Sequence, residues 1–176
     1  DNGGYPILTF KPWEELPEVE QKNSLWTDIV TSRPDSYVET TDADGKTIIT
    51  LKDEEALAWM ASVAAGYNGA TQSSFENTEV VLSASVNMSA YVWSCIPNFN
   101  GYFNGNKKSV TGLRIANNTP NGFAMIATLG EKGEIRNLNL KETELKLTEV
   151  KGYIASLVKE NKGFIQGCSN EGNLSV

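Results

Sequence analysis

The chain has 176 residues and a mass of 19.2 kDa, which is enough for one real hydrophobic core and predicts one elongated domain. It contains no histidine, so the commonest general base and metal ligand is missing and no Ser/His or Cys/His nucleophile pair can form. A formal net charge of -7, with 22 acidic and 15 basic residues and no long Lys/Arg cluster, argues against a nucleic-acid partner.

The cysteines and the hydropathy restrict the chain further. Cys95 and Cys168 are too few for a disulfide scaffold, and we expect two buried thiols that act as small hydrophobic residues, with a bridge or a reactive thiol as the alternative. No apolar run approaches the roughly 20 residues needed to cross a bilayer, so no transmembrane segment is predicted. The first residues, 1–5, lack a signal pattern and suggest a mature or trimmed start.

Residues 1–36 are predicted to be an irregular lead-in. Prolines interrupt this segment and exclude long elements there: Pro6, Pro12, Pro17 and Pro34. We expect the segment to fold back on the main body through Trp13 and Trp26. A carbohydrate-stacking site on the same two rings is the alternative.

Residues 37–50 predict a β-hairpin. Two β-branched runs, 37–40 and 47–50, flank the turn Asp42-Ala43-Asp44-Gly45, and an Asp-Gly turn in this position is typical of antiparallel strands. The same turn resembles half of a calcium loop. An EF-hand requires a bidentate glutamate six residues after the glycine, where this chain has Leu51, so the hairpin is the preferred interpretation.

A capping α-helix is predicted over residues 51–65. Thr50 and Asp53 have the spacing of a capping box, so Thr50 is expected to begin the helix. One apolar stripe follows at helical spacing: Leu57, Met60, Ala61 and Ala64. Gly66 is a natural residue to end the helix. The acidic residues 53–55 fit the positive end of the helix dipole and are not interpreted as a catalytic pair.

Residues 79–176 are predicted to form stacked β-coils. Alternation of apolar and polar residues from Val80 to Met88 predicts one strand with a buried face. Further along, two blocks repeat at one fixed interval, with these equivalent positions: Gly122/Gly152, Phe123/Tyr153, Gly133/Gly163, Ile135/Ile165 and Leu138/Cys168. A fixed period of this length is typical of one supersecondary unit stacked on copies of itself.

A third coil is predicted upstream of this repeat. Its apolar positions, Val110, Leu113 and Ile115, have the same spacing as Ile135, Leu138 and Leu140. We therefore predict that Val110 is equivalent to Ile135, with turns of unequal length between the coils. Each enclosed Ile or Leu would stabilise the stack by roughly 1.5 to 3 kcal/mol.

The predicted fold class is therefore mainly β, a right-handed parallel β-helix (a solenoid) with an N-terminal capping α-helix. The lead-in covers residues 1–36 and one solenoid domain covers residues 37–176. A β-sandwich is the alternative, although it would not produce a repeat of fixed period.

From residue 48 onward the chain resembles proteins that carry the GLUG motif. Five pieces agree in order and spacing: the capping helix 51–65, the strand 87–89, the stop 93–96, the turn 99–106 that leads to 110–115, and the repeated coils 122–138 and 152–168. The turn reads Phe-Asn-Gly-Tyr-Phe-Asn-Gly-Asn, and the first repeated coil ends with Gly-Glu-Ile-Arg-Asn-Leu. The resemblance implies a right-handed parallel β-helix on secreted or surface proteins of gut bacteria, including non-catalytic regions of some surface peptidases. It brings no catalytic residues.

The chain departs from the family pattern at several positions. Asn87-Met88 stands where Asp-Leu is usual, and Cys95 stands where proline is usual. Asn104 replaces the aspartate of the glycine-rich turn and Lys107 replaces its last glycine. These changes weaken an acidic cation site at the turn and leave its geometry plausible.

We expect a non-catalytic cell-surface or secreted module that serves as adhesin-like display or as the cap of a longer solenoid. No catalytic, cofactor-binding or metal-binding residues are predicted, and no cofactor. The expected partner is an unidentified protein or glycan at the cell surface, together with end-to-end association through an open C-terminal coil. The expected location is extracellular or on the bacterial outer surface, where a lipid anchor on a removed N-terminal segment would be one means of attachment.

Two other functions compete with this expectation. A glycan-binding module would rest on aromatic rings, if they are exposed: Trp13, Trp26, Tyr91 and Tyr102. A polysaccharide-cleaving β-helix enzyme would need two or three carboxylates aligned on neighbouring coils. The outward positions of the repeats carry mixed polarity instead, which disfavours the enzyme.

Overall fold

The computed structural model describes residues 23–148, 150 and 152–172, and the described chain is a β-solenoid of about four turns. Two helices occur in this part, α1 (Trp26–Ile29) and α2 (Glu54–Ala65). The strands are β1 (Tyr37–Thr41), β2 (Thr47–Leu51), β3 (Thr78–Leu82), β4 (Val86–Asn87), β5 (Ile96–Phe99), β6 (Tyr102–Asn104), β7 (Ser109–Thr111), β8 (Arg114–Ala116), β9 (Ile126–Leu129), β10 (Glu134–Arg136), β11 (Asn139–Lys141), β12 (Glu144–Lys146), β13 (Val158–Asn161), β14 (Phe164–Gln166) and β15 (Ser169–Glu171).

The strands form four sheets that run along the solenoid. In spatial order, sheet 1 contains β1, β2, β3, β6, β10 and β14, sheet 2 contains β4, β7, β11 and β15, sheet 3 contains β8 and β12, and sheet 4 contains β5, β9 and β13. The chain visits the sheets in turn, so β3–β5 form coil 1, β6–β9 coil 2, β10–β13 coil 3, and β14 with β15 the described part of coil 4. The described pairings between coils are parallel, and this excludes the β-sandwich alternative.

Each sheet places one column of side chains in the interior. In sheet 1 the column runs through Ile49, Val80, Phe103, Ile135 and Ile165, which are in direct register from strand to strand. The predicted stacking of Ile135 on Ile165 is confirmed. The four members before Ile165 are 4% exposed or less. A single coil buries only one side of its apolar residues, so stacking is what encloses them.

The predicted register of coil 2 is wrong. Val110 pairs with Leu140 in sheet 2, and the partner of Ile135 in coil 2 is Phe103. The corner between β6 and β7 is longer than the corner between β10 and β11, so matching apolar spacing from Val110 onward aligns the wrong strand. In sheet 2 the interval from Val110 to Leu140 equals the interval from Leu140 to Asn170.

Two smaller expectations are also corrected. Phe123 pairs with Ile154, not with Tyr153, because one extra residue lies in that corner, and Tyr153 is 84% exposed. The single strand predicted from Val80 to Met88 is two strands, β3 and β4, since the chain turns a corner between sheets 1 and 2 at residues 83–85.

The hairpin is confirmed at the N-terminal edge of sheet 1, where β1 and β2 pair antiparallel. In its turn one carboxylate oxygen of Asp42 accepts hydrogen bonds from the backbone N–H groups of Asp44 and Lys46, at 3.0 and 2.8 Å. The Asp42 side chain therefore stabilises the turn itself, as an aspartate at this position commonly does.

Helix α2 begins later than predicted. Asp53 is its N-cap, accepting a hydrogen bond from the Ala56 backbone N–H at 2.9 Å, while Thr50 belongs to β2. The helix ends at Gly66 in the left-handed conformation, φ +73°, as the sequence predicts. Most of its residues are buried, and it contacts β1 and β2 of sheet 1 and β5 of sheet 4. Because β5 is the first strand of sheet 4, α2 covers the N-terminal side of the core.

Part of the predicted lead-in belongs to the core. Trp26 in α1 is 4% exposed, and its indole N–H donates to the Met88 carbonyl at 3.1 Å. Trp13 and the rest of residues 1–22 lie outside the described residues. The two thiols are free: Cys95 is buried, as expected, but Cys168 is only partly buried, because it lies on coil 4.

Candidate functional site

A strongly charged concave surface lies where sheet 2 turns into sheet 3. A cleft of about 330 Å³ is lined by Glu142, Thr143, Glu144, Glu171 and Gly172. An adjoining cleft of about 500 Å³ shares Glu142 and Glu144 and continues along these residues: Ser89, Ala90, Gly112, Arg114 and Lys146. We call the two together the corner cleft.

Glu144, on β12, is held between two cations in the corner cleft. Its two carboxylate oxygens contact Arg114 Nε and Lys146 Nζ, each at 2.8 Å. Arg114 lies directly beneath it on β8 of the preceding coil. The hydrogen bond from Lys146, with a further one from Arg114, holds the pKa of Glu144 below its ordinary value even though partial burial acts in the opposite direction. Glu144 is therefore ionised at neutral pH.

Glu142 occupies the turn that forms the floor of the corner cleft. Its φ is +51°, in the left-handed region, where the preceding coil has Gly112 at φ +67°. The backbone N–H of Glu142 donates to the Glu171 carbonyl of coil 4 at 2.9 Å. Beside it the Thr143 hydroxyl is buried and has no hydrogen-bond partner among the described residues. Glu142 therefore adopts the same left-handed conformation in coil 3 as Gly112 adopts at the equivalent position of coil 2, although Glu142 is not a glycine.

Two of the carboxylates in the corner cleft are engaged in ion pairs, which disfavours their use in glycoside hydrolysis. That chemistry uses two carboxyl groups, one of which must be protonated at the working pH to serve as the general acid. Lys146 and Arg114 lower the pKa of Glu144, and this opposes such a role. Glu171 lies 3.8 Å from the Lys141 ammonium group. Both Glu144 and Glu171 are therefore paired with neighbouring cations along the stack.

The outward face of sheet 1 carries two aromatic rings. Tyr102 and Phe164 occupy the same outward column, with Glu134 between them. The Lys46 ammonium lies 5.4 Å from the Tyr102 ring centroid, and the Arg136 guanidinium lies 5.1 Å from that of Phe164. These cation–π contacts occupy a face of each ring, which is where a sugar would stack.

The other aromatic residues proposed for glycan binding are less available. Trp26 is buried, and Tyr91 packs edge-on against it with 4.9 Å between the ring centroids. Trp26, Tyr91 and Tyr102 therefore do not form one exposed platform. Trp13 lies outside the described residues.

A second candidate is the edge formed by β13, β14 and β15, which we call the terminal edge. Each of these strands lies at the end of its sheet among the described residues. The Phe164 N–H donates to the Gly133 carbonyl, and the Gln166 carbonyl accepts from the Asn137 N–H, so both residues bond to coil 3. In a parallel ladder the residue between them bonds to the opposite side. The N–H and C=O of Ile165 therefore point away from the solenoid.

The same argument applies to Asn170 on β15. Both of its neighbours bond to coil 3. The Ser169 N–H donates to the Leu138 carbonyl, and the Glu171 carbonyl accepts from the Glu142 N–H. The backbone groups of Asn170 consequently point to the uncovered side as well. Two strands of the terminal edge thus present, in the same direction, donors and acceptors that have no partner among residues 23–148, 150 and 152–172.

The interior columns change character at the terminal edge. Asn161 takes the position of Leu129, and Asn170 takes the position of Leu140. The Asn161 side-chain oxygen accepts from the Gly163 N–H at 3.0 Å, and the Asn170 amide donates to the Ser156 hydroxyl at 3.1 Å. Both asparagines are exposed. Two of the apolar columns therefore end in amide groups, while Ile165 continues the third.

Sequence reasoning missed both the corner cleft and the polar ends of the columns. The change from Leu140 to Asn170 could have been found, because the interval between these residues is the period of the predicted repeat. The change from Leu129 to Asn161 has a different spacing and carries no such signal. The pairing of Glu144 with Arg114 depends on the register of coil 2, which the sequence did not predict.

No family model, no curated protein and no solved structure matches this chain. Within residues 23–148, 150 and 152–172, no helix has the length and apolar character needed to span a membrane. The same described residues contain no group of three or more Cys, Asp or Glu side chains placed to hold a metal ion.

Proposed function

We propose that this chain is a non-catalytic β-solenoid module of a secreted or cell-surface protein. It serves in adhesin-like display or in association with a partner through its terminal edge. The observation that carries the proposal is the stack of parallel coils, whose apolar columns fill the interior while ion-paired side chains lie on the outward faces. Within the described residues, α2 covers part of the N-terminal side, and β13, β14 and β15 each end a sheet. A stacked solenoid with long side faces and strand edges suits an adhesin-like or assembly role.

The absence of a catalytic role is supported by how the carboxylates are used. Glu144 pairs with Arg114 and Lys146, and Glu79 pairs with Lys46 at 3.0 Å. Glu134 and Glu76 contact Arg136 and Lys132 in the same way. A carboxylate held in an ion pair is a poor general acid, because the cation favours its ionised form.

The location and the partner class rest on the resemblance to GLUG-motif proteins and on the net charge of -7. The proposal has two forms, adhesin-like display and the cap of a longer solenoid. In the second form, a coil stacked on the terminal edge must provide hydrogen-bond partners for the amides of Asn161 and Asn170, because a buried amide without its full set of hydrogen bonds costs about 1 to 3 kcal/mol.

The proposal is tested in two assays on the purified chain. The first follows the release of reducing ends or unsaturated products from a panel of neutral and acidic polysaccharides, and we expect no turnover. Glu144→Gln serves as the matched variant, because any real activity of the corner cleft should change with it. Turnover that Glu144→Gln abolishes would disprove the non-catalytic role.

The second assay addresses location. Antibody raised against the purified chain should label intact cells of the source organism, or detect the protein in the culture medium, without permeabilisation. Labelling only after permeabilisation would contradict a surface role. A glycan array run in parallel distinguishes the glycan-binding alternative: saturable binding that Tyr102→Ala removes would support that alternative instead.

A further inference from the structure

We propose that a cleft beside helix α1 binds a neutral saccharide. This inference rests on the proposed function, in which an adhesin-like module needs a ligand, and it adds the class of that ligand and the residues that contact it. The cleft has a volume of about 460 Å³ and lies where three parts of the chain meet. Leu25 and Asp28 come from α1 and its N-cap, Tyr67 and Asn68 follow α2, and Pro120 lies between β8 and β9. We call it the junction cleft, and its volume is within the range of about 300 to 1,000 Å³ that is usual for small-molecule sites.

The junction cleft lies at the corner of the solenoid where the coils differ most in length. In coil 1, residues 93–95 connect Val92, which pairs with Arg114 of sheet 3, to β5. The same connection takes residues 117–125 in coil 2 and is longer still between β12 and β13 in coil 3. Insertions into a solenoid collect on one face, and that face is often the binding face. Pro120 of the junction cleft belongs to the coil 2 insertion.

The insertions of coils 2 and 3 hold each other in place. The Asn117 amide nitrogen donates to Thr148 Oγ1 at 2.6 Å, and the Asn117 side-chain oxygen accepts from the Thr148 N–H at 2.9 Å. Further along the same corner, Phe123 pairs with Ile154. The wall that carries Pro120 is therefore an ordered part of the stack.

The three walls of the junction cleft are tied to one another without a ligand. The Asn68 amide nitrogen donates to the carbonyls of Thr27 and Val30, at 2.7 and 3.2 Å, which fixes the end of α2 against α1. The Asn121 amide nitrogen donates to Tyr67 Oη at 3.2 Å, which ties the coil 2 insertion to the same segment. A site whose shape is fixed in advance loses less conformational freedom when a ligand binds.

Two acceptors of the junction cleft have no partner in the described part of the chain. They are the carboxylate of Asp28 and the side-chain oxygen of Asn68, and both residues are exposed. A carboxylate accepts hydrogen bonds from two hydroxyl groups, and an amide oxygen has two lone pairs for others. Leu25, Tyr67 and Pro120 add apolar surface to the same cleft. Acceptors beside apolar walls match the hydroxyl groups and the C–H groups that a sugar ring presents.

The charge of the junction cleft favours a neutral ligand. Among the described residues that line it, Asp28 is the single charged one, and no Lys or Arg is present. A uronate, sulfate or phosphate group would meet a like charge with no cation to offset it. A small amine would pair with Asp28, but an ion pair this exposed contributes little to binding.

Tyr67 differs from Tyr102 on the outward face of sheet 1. The Lys46 ammonium lies 5.4 Å from the Tyr102 ring centroid, whereas no cation of the described residues lies over the Tyr67 ring. Tyr67 is therefore more available to a sugar than Tyr102. The two rings also lie on separate clefts, so substitutions distinguish between them.

Sugar binding by the purified chain tests the proposal. An array of neutral and acidic saccharides selects the probe, and isothermal titration calorimetry measures its dissociation constant. We expect saturable binding of a neutral saccharide. Asp28→Ala should weaken the dissociation constant about tenfold or more, because hydrogen bonds to a charged acceptor are lost. Asp35→Ala is the matched control, since it removes the same charge at another exposed aspartate, and it should stay within about threefold of the parent chain.

Several results would overturn the proposal. They are the absence of saturable binding by any neutral saccharide, binding that Asp28→Ala leaves unchanged, and binding that Tyr102→Ala abolishes. Tighter binding of n-butylamine than of any sugar, lost on addition of salt, would identify an amine site instead.

Circular dichroism verifies the fold of each variant. If Asp28→Ala fails to fold, NMR of the parent chain decides: the amide shifts that change on titration with the probe should cluster at residues 25–28, 66–69 and 117–122. Changes clustered around Tyr102 would overturn the proposal. None of these results alters the non-catalytic proposal, which fails only on turnover or on intracellular location.

Discussion

At the scale of single residues, the ion pairs of the corner cleft act on stability. Glu144 contacts Arg114 and Lys146 at 2.8 Å, and its side chain is 35% exposed, so solvent screens part of the interaction. We expect Glu144→Gln to lower the free energy of unfolding at neutral pH by only about 0.5 to 1 kcal/mol. Urea denaturation with the fluorescence of the four tryptophans measures this difference.

The pH dependence of that difference has a defined sign. The pKa of Glu144 is lowered in the folded chain. The ion pairs of Glu144 therefore contribute to the free energy of unfolding above its ordinary pKa of 4.5, and this contribution is lost as the pH falls through the pKa of the folded chain. Glu160→Gln is the control, since Glu160 pairs with Lys162 at 3.1 Å on a more exposed site. If the difference in stability between the parent chain and Glu144→Gln persists in acid, this account is contradicted.

Cys95 should make the chain less stable in alkali. Burial raises the pKa of its thiol from the ordinary value of 9.0 to about 12. The folded chain therefore holds the thiol proton at a pH at which the unfolded chain has lost it. This contribution is complete below pH 9.0 and is lost as the pH rises towards 12.

The measurement compares the parent chain with Cys95→Ala in urea at increasing pH. The parent should lose about 2 kcal/mol relative to Cys95→Ala by about pH 11. Using the difference cancels other alkaline titrations, including that of Tyr37, whose pKa burial also raises. Two curves that stay parallel above pH 9.0 would show that Cys95 ionises without cost.

At the scale of elements, the position of a residue within its column sets its contribution. Ile135 is 0% exposed between Phe103 and Ile165, while Ile165 is covered from one side only among the described residues. Ile135→Ala should cost about 2 to 4 kcal/mol, from lost transfer free energy and an incompletely filled cavity. Ile165→Ala should cost less than half as much, because Ile165 is only partly buried.

The free energies of unfolding of the two variants are measured by urea denaturation. They form a matched pair, because the same side chain is shortened at equivalent positions of coils 3 and 4. Equal losses would mean that Ile165 is fully enclosed in solution and that the terminal edge is already covered within one chain.

Several elements follow from local chemistry, and the sequence predicts them. The hairpin comes from an Asp-Gly turn between β-branched runs, and the helix end comes from Gly66. The start of α2 is harder to place because Thr50 and Asp53 both suit an N-cap, and the choice is made by β2, which uses Thr50 to pair with Val81 of β3.

The register of the coils is predictable only where corner lengths repeat. Coils 3 and 4 keep one interval in sheets 1 and 2, so Ile135 and Ile165 align from the sequence alone. The corners that follow Ile115 and Leu129 differ in length between coils, and side chains in corners carry no periodic pattern. The terminal edge depends on those corners, so its asparagines are not recognisable as column ends before the coils are aligned.

At the scale of the whole molecule, the local stability of each coil depends on how many neighbouring coils it packs against. In a stacked array the stability is approximately a sum of the coils and the interfaces between them. Coils 2 and 3 have neighbours on both sides, and coil 1 is covered by α2 and the hairpin. Within the described chain, the terminal edge has a neighbour on one side, and its columns end in Asn161 and Asn170.

Native-state hydrogen exchange should therefore follow a gradient along the solenoid axis. In dilute solution the amides of β6 and β10 should exchange slowest and those of β13–β15 fastest, because opening the last strands exposes little apolar surface. Within β14 we expect alternation: the Phe164 amide bonds to coil 3, whereas the Ile165 amide faces away from coil 3 and has no partner among the described residues. Ile135→Ala, which weakens the interface between coils 3 and 4, should accelerate exchange in β14 and β15 while leaving β3 nearly unchanged. Uniform exchange from β3 to β15, or acceleration of all strands together by Ile135→Ala, would mean that the solenoid opens as one cooperative unit rather than from its terminal edge.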